Sequence, residues 1–368
     1  MLIDTTLREG AQLFGAYFNV ETRKRIADGL IEMGVDEIEM GWVGQEGIHE
    51  FAGYLSRAAN GTHLSVWSPC REKDILAAAE LPVDRINIGV PVSDLHIEKR
   101  LDTDRQSMLR KLAAAIHTAR EAGFKYISVG LEDISRADPD FSMSMALHAE
   151  VCGASRVRLS DSLGQLTPLA MAELVARFRS RIKIDIAVHC HDDFGMATAN
   201  SVTALDSGAD YADVSVMGIG ERSGIAATEE LVAHLSIRGG RDSYSTEVLK
   251  DVCLFVSSAA RVPVSRTKAV VGTDIFACES GLHTHALSKL PELFEPYNPE
   301  SVGTSRKVAV GGKSGRAAVR SALSECGVDS AGADIASLTE AVRQLSCRLS
   351  RPLTRSELIR LSSGEVLS

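Results

Sequence analysis

The sequence predicts a (β/α)8 TIM barrel followed by a small α+β subdomain and C-terminal helices. Short apolar runs rich in strand-forming residues alternate with amphipathic stretches of helical period. About eight such units occupy roughly the first 240 residues, the usual length of this barrel. Polar residues recur at the carboxyl ends of the predicted strands, which meet at one rim in a barrel. An open doubly wound sheet alternates in the same way, but no G-x-G-x-x-G of a dinucleotide fold follows the first strand.

The strands are predicted from short runs of apolar and β-branched residues. In chain order they are Leu2–Thr6, Glu37–Gly41, His63–Ser68, Arg85–Val90, Tyr126–Glu132, Arg156–Asp161, Lys183–His191 and Tyr211–Met217. Helical periodicity fills the intervals, most clearly in Asn19–Gly34 and Asp102–Gly123. Each of these two stretches begins with a polar residue that can cap a helix and ends at a glycine, as helices commonly do.

The pattern changes after residue 260, where proline and glycine become frequent and the apolar pieces become short. We therefore predict a catalytic barrel over residues 1–260, a linker and small subdomain over 261–325, and a helical segment over 326–368. Two helices are expected in the last segment. The second is predicted to begin after Thr354, because Glu357 stands three residues further on, as in a capping box.

The composition argues against several kinds of partner. The net charge of −9 disfavours nucleic acid, because phosphate binding needs clustered basic surface. The seven cysteines are scattered, odd in number and without a C-x-x-C pair, which is typical of reduced thiols in a cytosol. We see neither a signal peptide nor an apolar run long enough to span a bilayer. A cytoplasmic protein without a membrane or nucleic-acid partner is expected.

Two histidines stand two residues apart at the end of the seventh predicted strand, in the stretch "IAVHCHDDFGMATAN". Residues i and i+2 of a strand point to the same face, so His189 and His191 can both reach one metal ion. Histidines that are hydrogen-bonded at a barrel rim are an equally common explanation. Asp192 and Asp193 either orient the histidines or begin the next helix, which is the more usual role of such residues.

Charged residues follow the first and the eighth predicted strands. Arg8 and Glu9 lie in "DTTLREG", and in a barrel the first strand is beside the eighth and near the seventh. One carboxylate with two imidazoles makes a set of ligands that leaves positions open for a substrate. A surface Arg–Glu pair is the alternative, and it is disfavoured because all these residues share one rim. In "GIGERSG", Glu221 and Arg222 place charge at the mouth of the barrel or belong to an ordinary loop.

These motifs together resemble the DRE-TIM metallolyase family, in its Claisen-condensing branch of homocitrate, 2-isopropylmalate, citramalate and Re-citrate synthases. The resemblance rests on D-T-T-L-R-E-G, H-x-H-D-D-x-G-x-A-x-A-N, G-x-G-E-R-x-G and G-K-S-G-R, and it extends from Ile3 to about Leu323. Pro91–Leu101 and Leu131–Phe141 look most like the nitrogenase-type homocitrate synthases. Carbon–carbon lyases of the superfamily carry a cysteine in the loop after the eighth strand, whereas this chain has "GERSG".

The resemblance implies a divalent metal, Mg, Mn, Co or Zn, held by Glu9, His189 and His191. It implies that Arg8 stabilises the alkoxide formed on the 2-oxo acid. It also implies a homodimer in which His283 from the partner subunit helps to remove a proton from acetyl-CoA. Glu132 would belong to the same catalytic apparatus. Many family members carry an asparagine where this chain has Ile225, so one further protein ligand is not expected here.

The expected substrates are acetyl-CoA and a 2-oxo acid, most closely 2-oxoglutarate, which gives homocitrate. The residues expected to bind substrate are Arg8, Trp67, Ser128, Ser160, Ser162 and Glu221. Trp67 and Ser128 stand where lysine-pathway enzymes use a histidine and an arginine to bind the distal carboxylate, and the nitrogenase-type enzymes lack that pair too. Phosphonopyruvate, oxaloacetate and pyruvate therefore stay open as alternatives. A lyase and a non-catalytic barrel are the remaining classes, and the intact Arg8, Glu9 and histidine pair disfavour the second.

Overall fold

Eight parallel strands close into a barrel in the order β1 to β8, as the sequence predicts. The computed structural model describes residues 1–279, 290–330 and 333–365. The barrel belongs to the first of two units, Met1–Val264, and the second unit is Ser265–Ser368. The barrel strands are β1 Leu2–Asp4, β2 Glu37–Trp42, β3 His63–Pro69, β4 Arg85–Pro91, β5 Tyr126–Glu132, β6 Arg156–Asp161, β7 Asp185–Cys190 and β8 Tyr211–Val214.

Helices follow the strands around the outside of the barrel. They are α1 Val20–Met33, α2 Ile48–Ala58, α3 Glu72–Ala78, α4 Arg105–Glu121, α5 Pro139–Cys152, α6 Pro168–Arg179, α7 Ala197–Asp206, α8 Thr228–Ala233 and α9 Leu249–Ala260. Asn19 caps α1 as predicted, accepting a hydrogen bond from the Thr22 amide at 2.8 Å, and Gly34 ends the helix in a left-handed conformation. The start predicted for α4 at Asp102 is wrong. Asp104 is the cap and Asp102 lies in the preceding turn.

Several strands end earlier than their apolar runs predict, because loop residues near the rim make other hydrogen bonds. The β1 strand stops at Asp4, whose carboxylate accepts a hydrogen bond from the Thr6 amide at 2.8 Å. The β8 strand stops at Val214, and a tight turn with Met217 at a φ of 61° follows it. His191 lies just beyond β7 and forms an isolated bridge with Ile225. The rim is therefore built of loop backbone as well as strand ends.

Charged side chains fill the interior of the barrel in two layers. The β6 strand shows the arrangement, because Arg156, Arg158 and Ser160 alternate with the buried apolar Val157 and Leu159. Alternate residues of a strand face opposite sides, so the apolar pair faces the helices and the polar set faces the barrel axis. We call Glu37, Arg85, Ser128 and Arg156 the lower layer. We call Arg8, Glu39, Arg158 and Asp213 the upper layer.

The second unit contains two short strands and three helices within its described residues. These are β9 Ala277–Cys278, β10 Lys307–Val308, α10 Arg316–Glu325, α11 Ile335–Leu349 and α12 Arg355–Ser362. The two segments predicted as 261–325 and 326–368 share one apolar core in which Val319, Val342 and Leu358 are buried. The predicted capping box is confirmed, since Thr354 and Glu357 exchange both hydrogen bonds at the start of α12. Across residues 1–279, 290–330 and 333–365, each helix is too short or too polar to cross a bilayer.

Candidate active site

A cavity of about 440 Å³ opens at the carboxyl ends of the barrel strands. Most of the residues predicted for the site line it, namely Arg8, Glu9, Trp67, Glu132, Ser160, Ser162, His189, His191 and Glu221. Ser128 does not line it, because this side chain lies in the lower layer and its Oγ accepts a hydrogen bond from Arg156 Nε at 3.0 Å. The predicted general base His283 lies outside the described residues.

Three buried side chains in this cavity form a candidate metal site. The Nε2 atoms of His189 and His191 lie 3.3 Å apart, and His189 Nε2 lies 3.9 Å from a carboxylate oxygen of Glu9. One potential ligand atom from each of the three residues falls within 4.8 Å of the others. Ligands at about 2.1 Å from one octahedral ion are about 3 Å apart. The donor atoms therefore fit a divalent metal in spacing as well as in type.

The protonation states of these groups also suit metal binding. Burial and the neighbouring His189 lower the pKa of His191 to about 3, so its imidazole is neutral near pH 7. Burial raises the pKa of Glu9, but the Arg8 guanidinium and the two histidines outweigh burial and lower it to about 2. Metal ligands must be neutral imidazoles and ionised carboxylates. Glu9 and His191 are thus ready to bind a cation without first losing protons.

The upper layer holds these residues in place. Asp213 on β8 accepts a hydrogen bond from His189 Nδ1 at 2.8 Å, which leaves Nε2 free to face the cavity. Arg8 donates from Nε to Glu39 at 2.6 Å and pairs with Glu9 through a second nitrogen. The motif arginine is thereby tied to the ligand carboxylate and to β2, which fixes its direction.

The loop after β8 closes against Glu9. The Glu221 amide donates to Glu9 Oε1 at 3.0 Å, which occupies one oxygen of the carboxylate. A Cβ at Gly220 would stand 3.0 Å from Glu9 Cγ, and one at Gly224 would stand 1.8 Å from the Gly218 carbonyl oxygen. Glycine at these positions therefore allows the loop backbone to approach the carboxylate. The "GIGERSG" segment is part of the site rather than an ordinary loop.

The two aspartates after the histidine pair have separate roles. Asp192 accepts a hydrogen bond from the Ala197 amide at 2.8 Å, but Met196 is the N-cap of α7, so the prediction that one of the two aspartates begins the helix is wrong. Asp193 accepts from Arg222 Nε at 2.9 Å, and Arg222 also donates to the Ser162 carbonyl at 2.6 Å. This pair joins the loops after β6, β7 and β8. Cys190 is fully buried, as expected for the opposite face of the strand.

One side of the cavity carries charges that sequence reasoning missed. Arg100 donates to Glu132 at 2.8 Å, and Arg136 pairs with Asp133 and lies 3.4 Å from His96 Nε2. Glu39, Arg158 and Asp213 were missed as well. A signal for Glu39 and Arg158 exists in the sequence. Charged residues alternate with apolar ones in "EIEM" and "RVRL", which is unusual for buried strands and indicates a polar barrel interior.

The fold and the site define a class of TIM-barrel enzymes in which a carboxylate, two histidines and an arginine share the rim. A family model described as HMGL-like matches residues 1–256, and one described as homocitrate synthase post-HMGL domain-like matches residues 270–349. The chain therefore belongs to the HMGL-like family. The predicted placement in the Claisen-condensing branch of the DRE-TIM metallolyases is confirmed, and so is the prediction of an enzyme.

Curated relatives resemble the chain over nearly its whole length. Homocitrate synthase 1 of Nostoc sp. is 36% identical, over 98% of this chain and 96% of its own. The 2-isopropylmalate synthase 2 of Caldanaerobacter subterraneus is 35% identical, over 98% of this chain and 94% of its own. Among solved structures, the HMG-CoA lyase of Brucella melitensis superposes with a TM-score of 0.63 at 21% identity, covering 71% of this chain and 98% of that one. The structural likeness supports the barrel fold alone.

Proposed function

We propose that this protein condenses acetyl-CoA with a 2-oxo acid in a metal-dependent Claisen reaction, and that the acid is 2-oxoglutarate, giving homocitrate. The observation that carries the proposal is the buried trio of Glu9, His189 and His191 beside Arg8, all of which line a cavity at the barrel rim. A divalent metal bound there would supply Lewis acidity that polarises the 2-oxo group. The homocitrate synthase of Nostoc supports the choice of acid.

The residues of the chain have distinct roles in this reaction. The ion pairs of Arg8 with Glu39 and Glu9 hold its guanidinium on the cavity floor, where it donates a hydrogen bond to the 2-oxo oxygen as that oxygen becomes an alkoxide. Such a preorganised charged donor costs no reorganisation during the reaction. The hydroxyl groups of Ser160 and Ser162, which also line the cavity, are placed to bind the acid's carboxylate.

Proton removal is assigned to a base that faces the acetyl methyl group. Glu132 lines the cavity and is held by Arg100, and His283 is proposed to come from the partner subunit of a homodimer. The carbanion then attacks the polarised carbonyl carbon, and the oxo oxygen is protonated to a hydroxyl. Water hydrolyses the thioester, releases the CoA thiol and makes the reaction irreversible.

The proposal is tested by thiol release from acetyl-CoA with a panel of 2-oxo acids and added Mg, Mn, Co or Zn. Fastest release with 2-oxoglutarate is expected, and no release with any acid would contradict the Claisen reaction itself. Pyruvate as the best acid would move the assignment to citramalate formation. The (R)-citramalate synthase of Methanocaldococcus jannaschii, at 35% identity over 93% of this chain, makes that the second candidate.

The homodimer is tested by mixing two inactive variants. Glu9→Gln removes a ligand of the barrel, and His283→Ala removes the base proposed to serve the partner. In a mixed dimer one of the two sites keeps both residues, so random pairing should restore about a quarter of the wild-type activity. Recovery of no activity on mixing, with subunit exchange demonstrated by light scattering and tagged subunits, would contradict a shared site.

A further inference from the structure

Two arginines of β6 face the barrel interior, and they differ in how well they are paired. Arg156 is fully buried, and every nitrogen of its guanidinium is hydrogen-bonded. Its Nε donates to Ser128, its two terminal nitrogens donate to Glu37 at 2.8 and 2.9 Å, and one of these also donates to Asn87 at 3.0 Å. This arginine belongs to the structure of the barrel, and it does not line the cavity.

Arg158, two residues along the same strand, has donors left over. Its Nη1 donates to Glu39 at 3.1 Å, and its Nε lies 3.1 Å from Asp213 in a poorly directed ion pair. Its Nη2 is buried and has no hydrogen-bond partner among the described residues. The residue is 3% exposed and lines the cavity. An unsatisfied buried donor is costly, and more so when it is charged, so an acceptor at this place stabilises the protein.

The cavity has space beside this guanidinium because glycines replace side chains there. Gly130 is the register partner of Arg158 on the neighbouring strand, and Gly89 is the partner of Gly130 on the next. A Cβ at Gly130 would touch only backbone atoms, at 3.8 Å, so this glycine leaves space beside Arg158. At Gly89 the Glu132 carboxylate and the Trp67 indole fill the place of a side chain, 2.5 and 2.9 Å from where a Cβ would stand. These two side chains therefore form one wall of a slot, and Arg158 lies on its other side.

The backbone spacing along β6 is close to the length of a short dicarboxylic acid. Ser160 is in register with the metal-ligand candidate His189, and Arg158 lies two residues lower on the same face. Two residues of a parallel strand advance about 6.6 Å. Four carbon–carbon bonds of about 1.5 Å span at most about 5 Å between the end carbons, as in a five-carbon dicarboxylate. Hydrogen bonds at the two ends bridge the remaining distance, whereas a three-carbon acid stops short of the arginine.

We propose that Arg158 is the specificity-determining residue that binds the distal carboxylate of the 2-oxo acid, so that the cavity selects 2-oxo dicarboxylic acids over neutral ones. This inference rests on the proposed Claisen reaction for its choice of ligand. It differs from the expectation that Ser128 contacts this part of the substrate, because Arg156 already occupies the Ser128 hydroxyl.

The test compares 2-oxoglutarate with 2-oxohexanoate, a neutral-tailed 2-oxo acid of nearly the same length, in wild type and Arg158→Gln. Thiol release gives kcat/KM, and calorimetry of each acid with Mn²⁺-loaded protein gives binding without turnover. The wild type should prefer 2-oxoglutarate roughly 100-fold, since a hydrogen bond between charged groups is lost with the neutral tail. Arg158→Gln should reduce this preference to less than about tenfold, mainly through KM.

Two further variants separate binding from packing. Arg158→Lys keeps the charge and should retain part of the preference, and Arg156→Gln should lower the thermal midpoint while leaving the ratio between the two acids unchanged. Equal losses with both acids in Arg158→Gln would show that Arg158 only supports Glu39 and Asp213, and would overturn the inference. Failure of the wild type with every acid would contradict the Claisen reaction, whereas calorimetry would still measure the preference of Arg158 for the charged acid.

Discussion

The two charged layers of the barrel interior are built from the same kinds of residue, yet one is closed and the other is open. In the lower layer, Glu37 receives hydrogen bonds from Arg85 and Arg156, and the carboxylate is fully buried. In the upper layer, two nitrogens of Arg158 and one oxygen of Asp213 are buried without a hydrogen-bond partner among the described residues, and so is Nδ1 of His191 above them. Buried charges stabilise a fold only when they are fully paired. The unpaired atoms one layer higher therefore lie at the place where we propose that the substrate binds.

The largest expected effect follows from replacing one of the proposed metal-coordinating residues above the upper layer. His191→Ala and Glu9→Gln should each lower metal-dependent turnover by about 1000-fold or more, because Lewis-acid stabilisation of several kcal/mol is lost. Turnover and bound metal per subunit, determined by elemental analysis, check this prediction. Without metal, Glu9→Gln should also unfold below the wild-type midpoint, because it removes the buried ion pair with Arg8. A variant that keeps its metal and its activity would show that the ligand assignment is wrong.

Breaking the closed layer should affect stability instead. Glu37→Gln leaves two buried guanidinium groups without their carboxylate, which typically costs about 3–5 kcal/mol in the free energy of unfolding. Urea denaturation measures it, and the matched control is Glu21→Gln, which removes an exposed partner of Lys24 and should cost less than about 0.5 kcal/mol. Equal losses of unfolding free energy in Glu37→Gln and Glu21→Gln would show that the lower layer stabilises the barrel no more than an exposed ion pair does.

A third prediction concerns a buried carboxylate that is held only by neutral donors. Asp4 accepts hydrogen bonds from the Thr6 amide and the Thr228 hydroxyl, and burial raises its pKa to about 6. A raised pKa in the folded state favours folding below the ordinary pKa of 3.8, and this contribution is lost as the pH rises through 6. As the pH rises from about 4 to about 7, the free energy of unfolding of Asp4→Asn should therefore increase by about 2–3 kcal/mol relative to that of wild type. A pH-independent difference in denaturation experiments would contradict the assignment.

The smallest expected effect concerns Asp213 of the upper layer, which orients the proposed metal ligand His189. Asp213→Asn keeps the size of the side chain but weakens its hold on His189 Nδ1, and such changes commonly lower metal affinity by about 10–100-fold. Titration with Mn²⁺ measures the affinity, and excess metal should restore most of the turnover. Unchanged affinity would show that packing alone orients His189.

The barrel and most of its rim could be predicted from the sequence because both depend on local pattern. Strand periodicity placed His189 and His191 on one face, and strand order brought Arg8 and Glu9 beside them. Arg158 and Asp213 could not be placed, because their roles depend on partners on distant strands. Ser128 shows the same limit: an ungapped match of positions put it in the cavity, whereas the Arg156 guanidinium holds it in the lower layer. The cytoplasmic location stays a prediction.

The closed lower layer also bears on the route by which reactants would reach the cavity. Arg156 and Glu37 are fully buried and do not line the cavity, so among the described residues the barrel interior below it is closed. In the proposed Claisen reaction both reactants would then enter and both products would leave by one mouth, and the small acid would take the deeper place. The acid would have to arrive before the bulky thioester that covers it, and CoA would have to leave before the new acid. The salt bridges that stabilise the barrel would thereby impose a kinetic order on the proposed reaction.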